Sequence, residues 1–185
     1  MRKFLLILLF VPLISFGQDA LTVNNHPKSK GLNFSIKEPS KFERIDGKRT
    51  NILFNWLKNR NDLDNRITIS ISIKEMPKEM QMSKKEWIQY LKFEGGIKDF
   101  TTGYNNVNKE KYIVLESYPG FMFNSSNEIQ RIDYVRKTHN KMILLFIENK
   151  VFVLSMSAST KTSLDLNEGV FLSMVNSIVF PDRYN

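Results

Sequence analysis

With no cysteine anywhere, the chain forms no disulfide, offers no thiol nucleophile, binds no metal through sulfur and takes no lipid on a cysteine at a cleavage site. Histidine is scarce as well. His26 falls in a polar N-terminal stretch and His139 at an expected hairpin tip, and both read as solvated loop or turn residues rather than as proton carriers. The patterns HExxH, GxSxG and GxxxxGK[ST] are missing, which removes the signatures of zinc proteases, α/β-hydrolases and phosphate-loop enzymes. Asp62 and Asp64 have the spacing of the first two ligands of a calcium loop, but Ile67 and Ile73 stand where its glycine and its closing glutamate belong. Glu94 and Asp99 show no spacing that pairs them. No catalytic residue, no metal ligand and no cofactor is therefore assigned.

Long apolar runs are also lacking, apart from residues 4–14 behind Arg2 and Lys3. That run is too short to span a bilayer, which takes about 20 residues. Followed by Ser15, Phe16 and Gly17, with small residues three and one before a cut, it has the three parts of a secretory signal. Cleavage is expected between Gly17 and Gln18, removing residues 1–17 and leaving no membrane-spanning segment. The expected location is the periplasm or outside the cell. Residues 18–30, polar and without periodicity, are expected to be a flexible leader, and residues 31–185 a single domain.

The formal charge is +8, with 27 Lys and Arg against 19 Asp and Glu. The cations are scattered and mostly lysine, so the excess suits weak contact with an anionic surface rather than a defined site. Basic and aromatic residues do not interleave as in a nucleic-acid-binding module, and no nucleic-acid partner is expected.

What the chain does have is alternation. Residues 142–147 form a continuous apolar run, MILLFI, short enough and so flanked by polar residues that it reads as a strand buried on both faces. Strands are expected beside it at 129–138 and 151–158, with turns at 139–141 and 148–150. Further strands are expected at 31–37, 51–58, 112–118 and 66–75, the last alternating four isoleucines with Thr68, Ser70, Ser72 and Lys74. Pro119-Gly120 is expected to bend the chain and residues 124–127 to turn it. A helix is expected from Ser83, with Glu86 completing a capping box, to Gly95. A second begins near Asp165 and presents Phe171, Met174, Val175 and Ile178 at core-facing spacing. The fold class is α+β: an α/β/α sandwich with a central, mostly antiparallel sheet and helices on both faces.

Two stretches resemble the PsbP-like family, named for the extrinsic subunit of photosystem II, whose fold is shared with certain Ran-GTPase-binding nucleotide-release factors. One is Gly31-Leu32-Asn33-Phe34-Ser35-Ile36 with Pro39 and Phe42, the last in place of the family's usual tryptophan. The other is Val153-Leu154-Ser155-Met156-Ser157-Ala158 leading to the closing Asn176-Ser177-Ile178-Val179-Phe180. The resemblance implies the same sandwich and an accessory, non-catalytic role in an extracytoplasmic complex; it supplies no site residues.

One cluster is a candidate partner contact: Tyr118, Phe121, Met122 and Phe123, crowded around Pro119-Gly120. At a sheet edge these would leave an apolar patch for a partner; under a helix they are ordinary core. The expected function is an exported accessory protein acting on an envelope or secreted protein. The alternative is a carrier of a small apolar ligand between sheet and helices, suggested by 14 Phe and 8 Met.

Overall fold

The computed structural model describes residues 20–130, 132 and 135–181; the expected signal segment lies outside them. Among these residues the elements are β1 (Ala20–Val23), β2 (Phe34–Lys37), β3 (Glu43–Asp46), β4 (Ile52–Lys58), β5 (Ile67–Glu75), α1 (Lys84–Phe93), α2 (Gly96–Thr101), β6 (Asn108–Leu115), β7 (Tyr118–Gln130), β8 (Val135–Ile147), β9 (Lys150–Ala158), α3 (Lys161–Leu166) and α4 (Glu168–Asn176). Seven strands make one antiparallel sheet in the order β3-β4-β5-β9-β8-β7-β6, while β1 and β2 pair separately.

Both faces of the sheet carry a core because both sets of alternate residues turn apolar in its middle. Ile143, Leu145 and Ile147 point to one face, with Ile67, Ile69, Ile71 and Ile73 of β5 and Phe152, Leu154 and Met156 of β9. This layer is closed by β2 and by Phe171, Met174 and Val175 of α4. Leu144 and Phe146 point the other way, with Phe121, Phe123 and Val153, under Trp87 and Leu91 of α1. Trp87 stacks on Phe146 with ring centres 3.9 Å apart. The expected α+β sandwich is the observed fold. The capping box is present as well: the Ser83 amide donates to Glu86 Oε2 at 2.6 Å and the Glu86 amide to Ser83 Oγ at 3.3 Å.

Several local expectations are corrected. Residues 20–30 are no flexible leader: β1 pairs with β2 from Ala20–Lys37 to Val23–Phe34, Val23 and Ser29 are buried, and Lys28 Nζ donates to the Gly47 carbonyl. The chain reverses at Glu116-Ser117, both left-handed (φ 48° and 66°), and not at Pro119-Gly120. Pro119 is tolerated because it sits at the start of β7, where the pairing with β8 begins only at Gly120. Gly120 is needed there, since a Cβ would lie 2.0 Å from the Leu144 carbonyl oxygen. Residues 124–127 and 139–141 are not turns; they belong to β7 and β8, which pair without a break from Gly120–Leu145 to Gln130–Val135. The expected strand 129–138 is therefore split between the two. At the C-terminal end, Asp165 lies inside α3, which Thr160 caps by accepting from the Ser163 amide, and α4 starts after Asn167.

Candidate binding surface

The helical cover on the α1 side is short, ten residues of α1 and six of α2, and it does not reach across the sheet. The strands change character where it stops. In the covered rows β9 presents Val151 and Val153, β8 presents Leu144 and Phe146, and β7 presents Phe121 and Phe123. Two to six residues along each strand, on the same face, stand Ser155 and Ser157, Asn140 and Thr138, and the buried Ser125 and half-buried Asn127. Beside them lie Thr68, Ser70 and Ser72 of β5 and Asn55 of β4. The register sets Asn55 opposite Ser70 and Ser70 opposite Ser155, and in the next row Thr68, Ser157, Asn140 and Ser125.

These short side chains leave a trough beside an aromatic wall formed by α2 and the residues just after it. A cavity of about 390 Å³ opens there, floored by Met142, Leu144, Val151 and Val153, walled by Phe100 and Tyr104 and rimmed by Ser70, Ser72 and Ser155, with Lys74 and Asn51 at one end. Its volume is within the range of small-molecule sites, about 300–1,000 Å³. Ser70 Oγ donates to Asn55 Oδ1 at 2.6 Å, and Ser157 Oγ to Asn140 Oδ1 at 2.7 Å. The hydroxyls of Ser72 and Ser155 have no side-chain hydrogen bond among the described residues. Tyr104 packs edge-on against Phe123, and burial pushes its phenol above the ordinary value. No carboxylate and no imidazole lines the cavity.

The residues singled out from sequence are not gathered at this trough. Phe121 and Phe123 are 0% exposed and lie in the core under α1 and α2, so they have no surface to present. Tyr118 and Met122 point to the opposite face and pack, half-buried, against the other core, Tyr118 edge-on to Phe180. Ordinary core packing describes Phe121 and Phe123. His26 accepts from the Lys28 amide. His139 is within β8 rather than at a hairpin tip; burial, and then Lys137 and Lys161, hold its pKa below the usual imidazole value, with Asp165 opposing. Asp62 accepts from the amides of Asp64 and Asn65 and from Asn65 Nδ2, which closes its loop and lowers its pKa. Glu94 accepts from Gln89 and Asp99 from Tyr90, so the two carboxylates serve different partners.

No family model matches the chain and no curated protein sequence matches it. Its fold is that of solved structures. LpqN, involved in cell envelope biogenesis of Mycobacterium tuberculosis, is 10% identical with a TM-score of 0.52, over 87% of this chain and 90% of that one. The cyanobacterial PsbP of Synechocystis sp. PCC 6803 is 11% identical with a TM-score of 0.48, over 90% and 95%. The Ran-binding protein Mog1p of Saccharomyces cerevisiae is 10% identical with a TM-score of 0.49, over 89% and 96%. A PsbP and a Ran-binding protein, the two kinds of protein named in the resemblance drawn from residues 31–36 and 153–158, are among the solved structures similar to this chain. At such identities the likeness is one of architecture alone.

Sequence reasoning missed the trough. Ser70, Ser72, Ser155 and Ser157 registered only as the outward half of an alternating pattern. The signal lay in their kind: a quarter of the chain is charged, yet these outward positions carry none until Lys74.

Proposed function

We propose that this protein is an exported, non-catalytic accessory protein that holds a component of the cell envelope on the uncovered half of its sheet. The observation that carries the reading is the trough: half-buried, lined by hydroxyls and apolar side chains, and without any carboxylate or imidazole to act as acid or base. Export rests on the signal pattern of residues 1–17. LpqN, whose fold this chain shares, works in envelope biogenesis, and Mog1p binds the protein Ran; both are in keeping with a binding role. Among the described residues no helix is long and apolar enough to cross a membrane.

A second reading, a carrier of a small apolar ligand, is favoured by the floor of Leu144, Val151 and Val153. In-cell photocrosslinking tests the main reading. A photoreactive residue at Ser70 or Ser155 should give an adduct on mature protein beginning at Gln18, whereas one at exposed Ser173 of α4 should not. Adducts at Ser173 alone, or a chain still carrying Met1, would overturn it; a lipid adduct at the trough would favour the carrier.

A further inference from the structure

We propose that the occupant of the trough is a neutral polyhydroxylated chain, an oligosaccharide strand, laid over β5 and β9 beside the ring of Tyr104. The inference rests on the reading of the trough as the binding surface and gives that surface a ligand class.

Four observations converge on it. The rim is built from hydroxyls and amides, groups that both donate and accept, as the hydroxyls of a sugar do. Ser72 and Ser155 have no side-chain partner within the described protein, and Asn55, which accepts from Ser70, keeps its amide nitrogen to donate. The wall supplies the apolar counterpart: Phe100 and Tyr104 stand beside the serines, and a pyranose ring has a C–H face to set against an aromatic and hydroxyls to turn the other way. Charge is the third. Lys74 is the single charged residue of the lining, so nothing there matches a polyanion, whose binding depends on several cations.

Backbone saturation is the fourth. β5 and β9 are interior strands, paired on both sides, so a peptide cannot add to them as a strand and would have only side chains to hold. An acyl chain fits less well than a sugar, because covering Ser72 and Ser155 with hydrocarbon leaves their hydroxyls without side-chain partners, whereas Ser70 keeps its bond to Asn55.

The test is calorimetric titration of the full mature chain with three neutral oligosaccharides, chitohexaose, cellohexaose and maltohexaose, followed by the same titration of Ser155→Lys and Ser72→Val. At least one sugar should bind saturably. Each variant should bind it about tenfold or more weakly, the loss expected when one or two hydrogen bonds go, while the thermal midpoint stays near that of the parent. Should Ser155→Lys fail to fold, Ser72→Val carries the test, since valine favours a strand and adds one heavy atom while removing the hydroxyl. Saturable binding that neither variant weakens overturns the siting. Absence of saturable binding to all three sugars, with peptide adducts from photoreactive Ser155, overturns the ligand class and leaves the trough as a protein-binding surface. Absence of both binding and trough adducts overturns this inference together with the function proposed above.

Discussion

His139 is where pH just below neutrality enters the stability of this fold. It lies half-buried on β8 with Lys137 on its own strand and Lys161 and Asp165 on α3. Burial and the two lysines hold its folded pKa below the unfolded value near 6.5. The unfolded chain therefore takes up a proton that the folded chain resists. The stabilisation is complete above about pH 6.5 and is lost as pH falls from there toward the folded pKa. His139→Gln should remove that part of the dependence, so its thermal midpoint should drop less than the parent's between about pH 7.5 and about pH 5.5. Equal drops in the two proteins would place the acid sensitivity in other groups. Asp62 and Glu86 act in the opposite range: hydrogen bonds from Asn65 and from Ser83 lower their pKa values, so what they contribute is lost only as pH falls through the carboxylate range.

At the scale of elements, β1 shows how a polar stretch becomes structure. Residues 20–23 are ALTV, too brief for a periodicity to register, yet β2 offers an unpaired side and Val23 finds the core. A chain beginning after Ser29 should lose stability through exposed β2 and a cavity at Val23. The expected change is about 1–3 kcal/mol in a denaturant titration, and an unchanged midpoint would mean that β1 adds nothing to the fold. The same contrast between composition and context explains what was legible in the sequence. Residues 142–147 and the four isoleucines of β5 were readable because both ends of each pattern lie inside the core. The far halves of β7 and β8 were not. Residues 124–127 and 139–141 extend past α1 and α2 on one face, and on the other His139 and Lys141 meet charged residues of α3 and α4, so both faces take polar residues and their composition becomes that of a turn. α2 and β3 were missed for a related reason: six and four residues hold too little pattern to announce a period.

For the whole molecule, the sheet is a shared wall between two cores. Leu91 of α1 is 3% exposed on one side and Met174 of α4 is 2% exposed on the other, and their clusters have no buried residue in common. Leu91→Ala and Met174→Ala should each cost about 2–5 kcal/mol. Because they share no neighbours, the double variant should show the sum to within about 0.5 kcal/mol in one cooperative transition. Two separate transitions would mean that the layers hold together independently.

The reversal between β6 and β7 has a bearing on the order in which the sheet assembles. A two-residue hairpin with both central residues left-handed is ordinarily made with asparagine and glycine, and here Glu116 and Ser117 occupy those places. Neither residue favours that backbone geometry by itself, so this corner has little local preference to close ahead of its strands. The outer strand β6 is accordingly expected to pair late, after β8 and β9, so core substitutions in β6 should speed unfolding and leave the folding rate nearly unchanged in stopped-flow measurements.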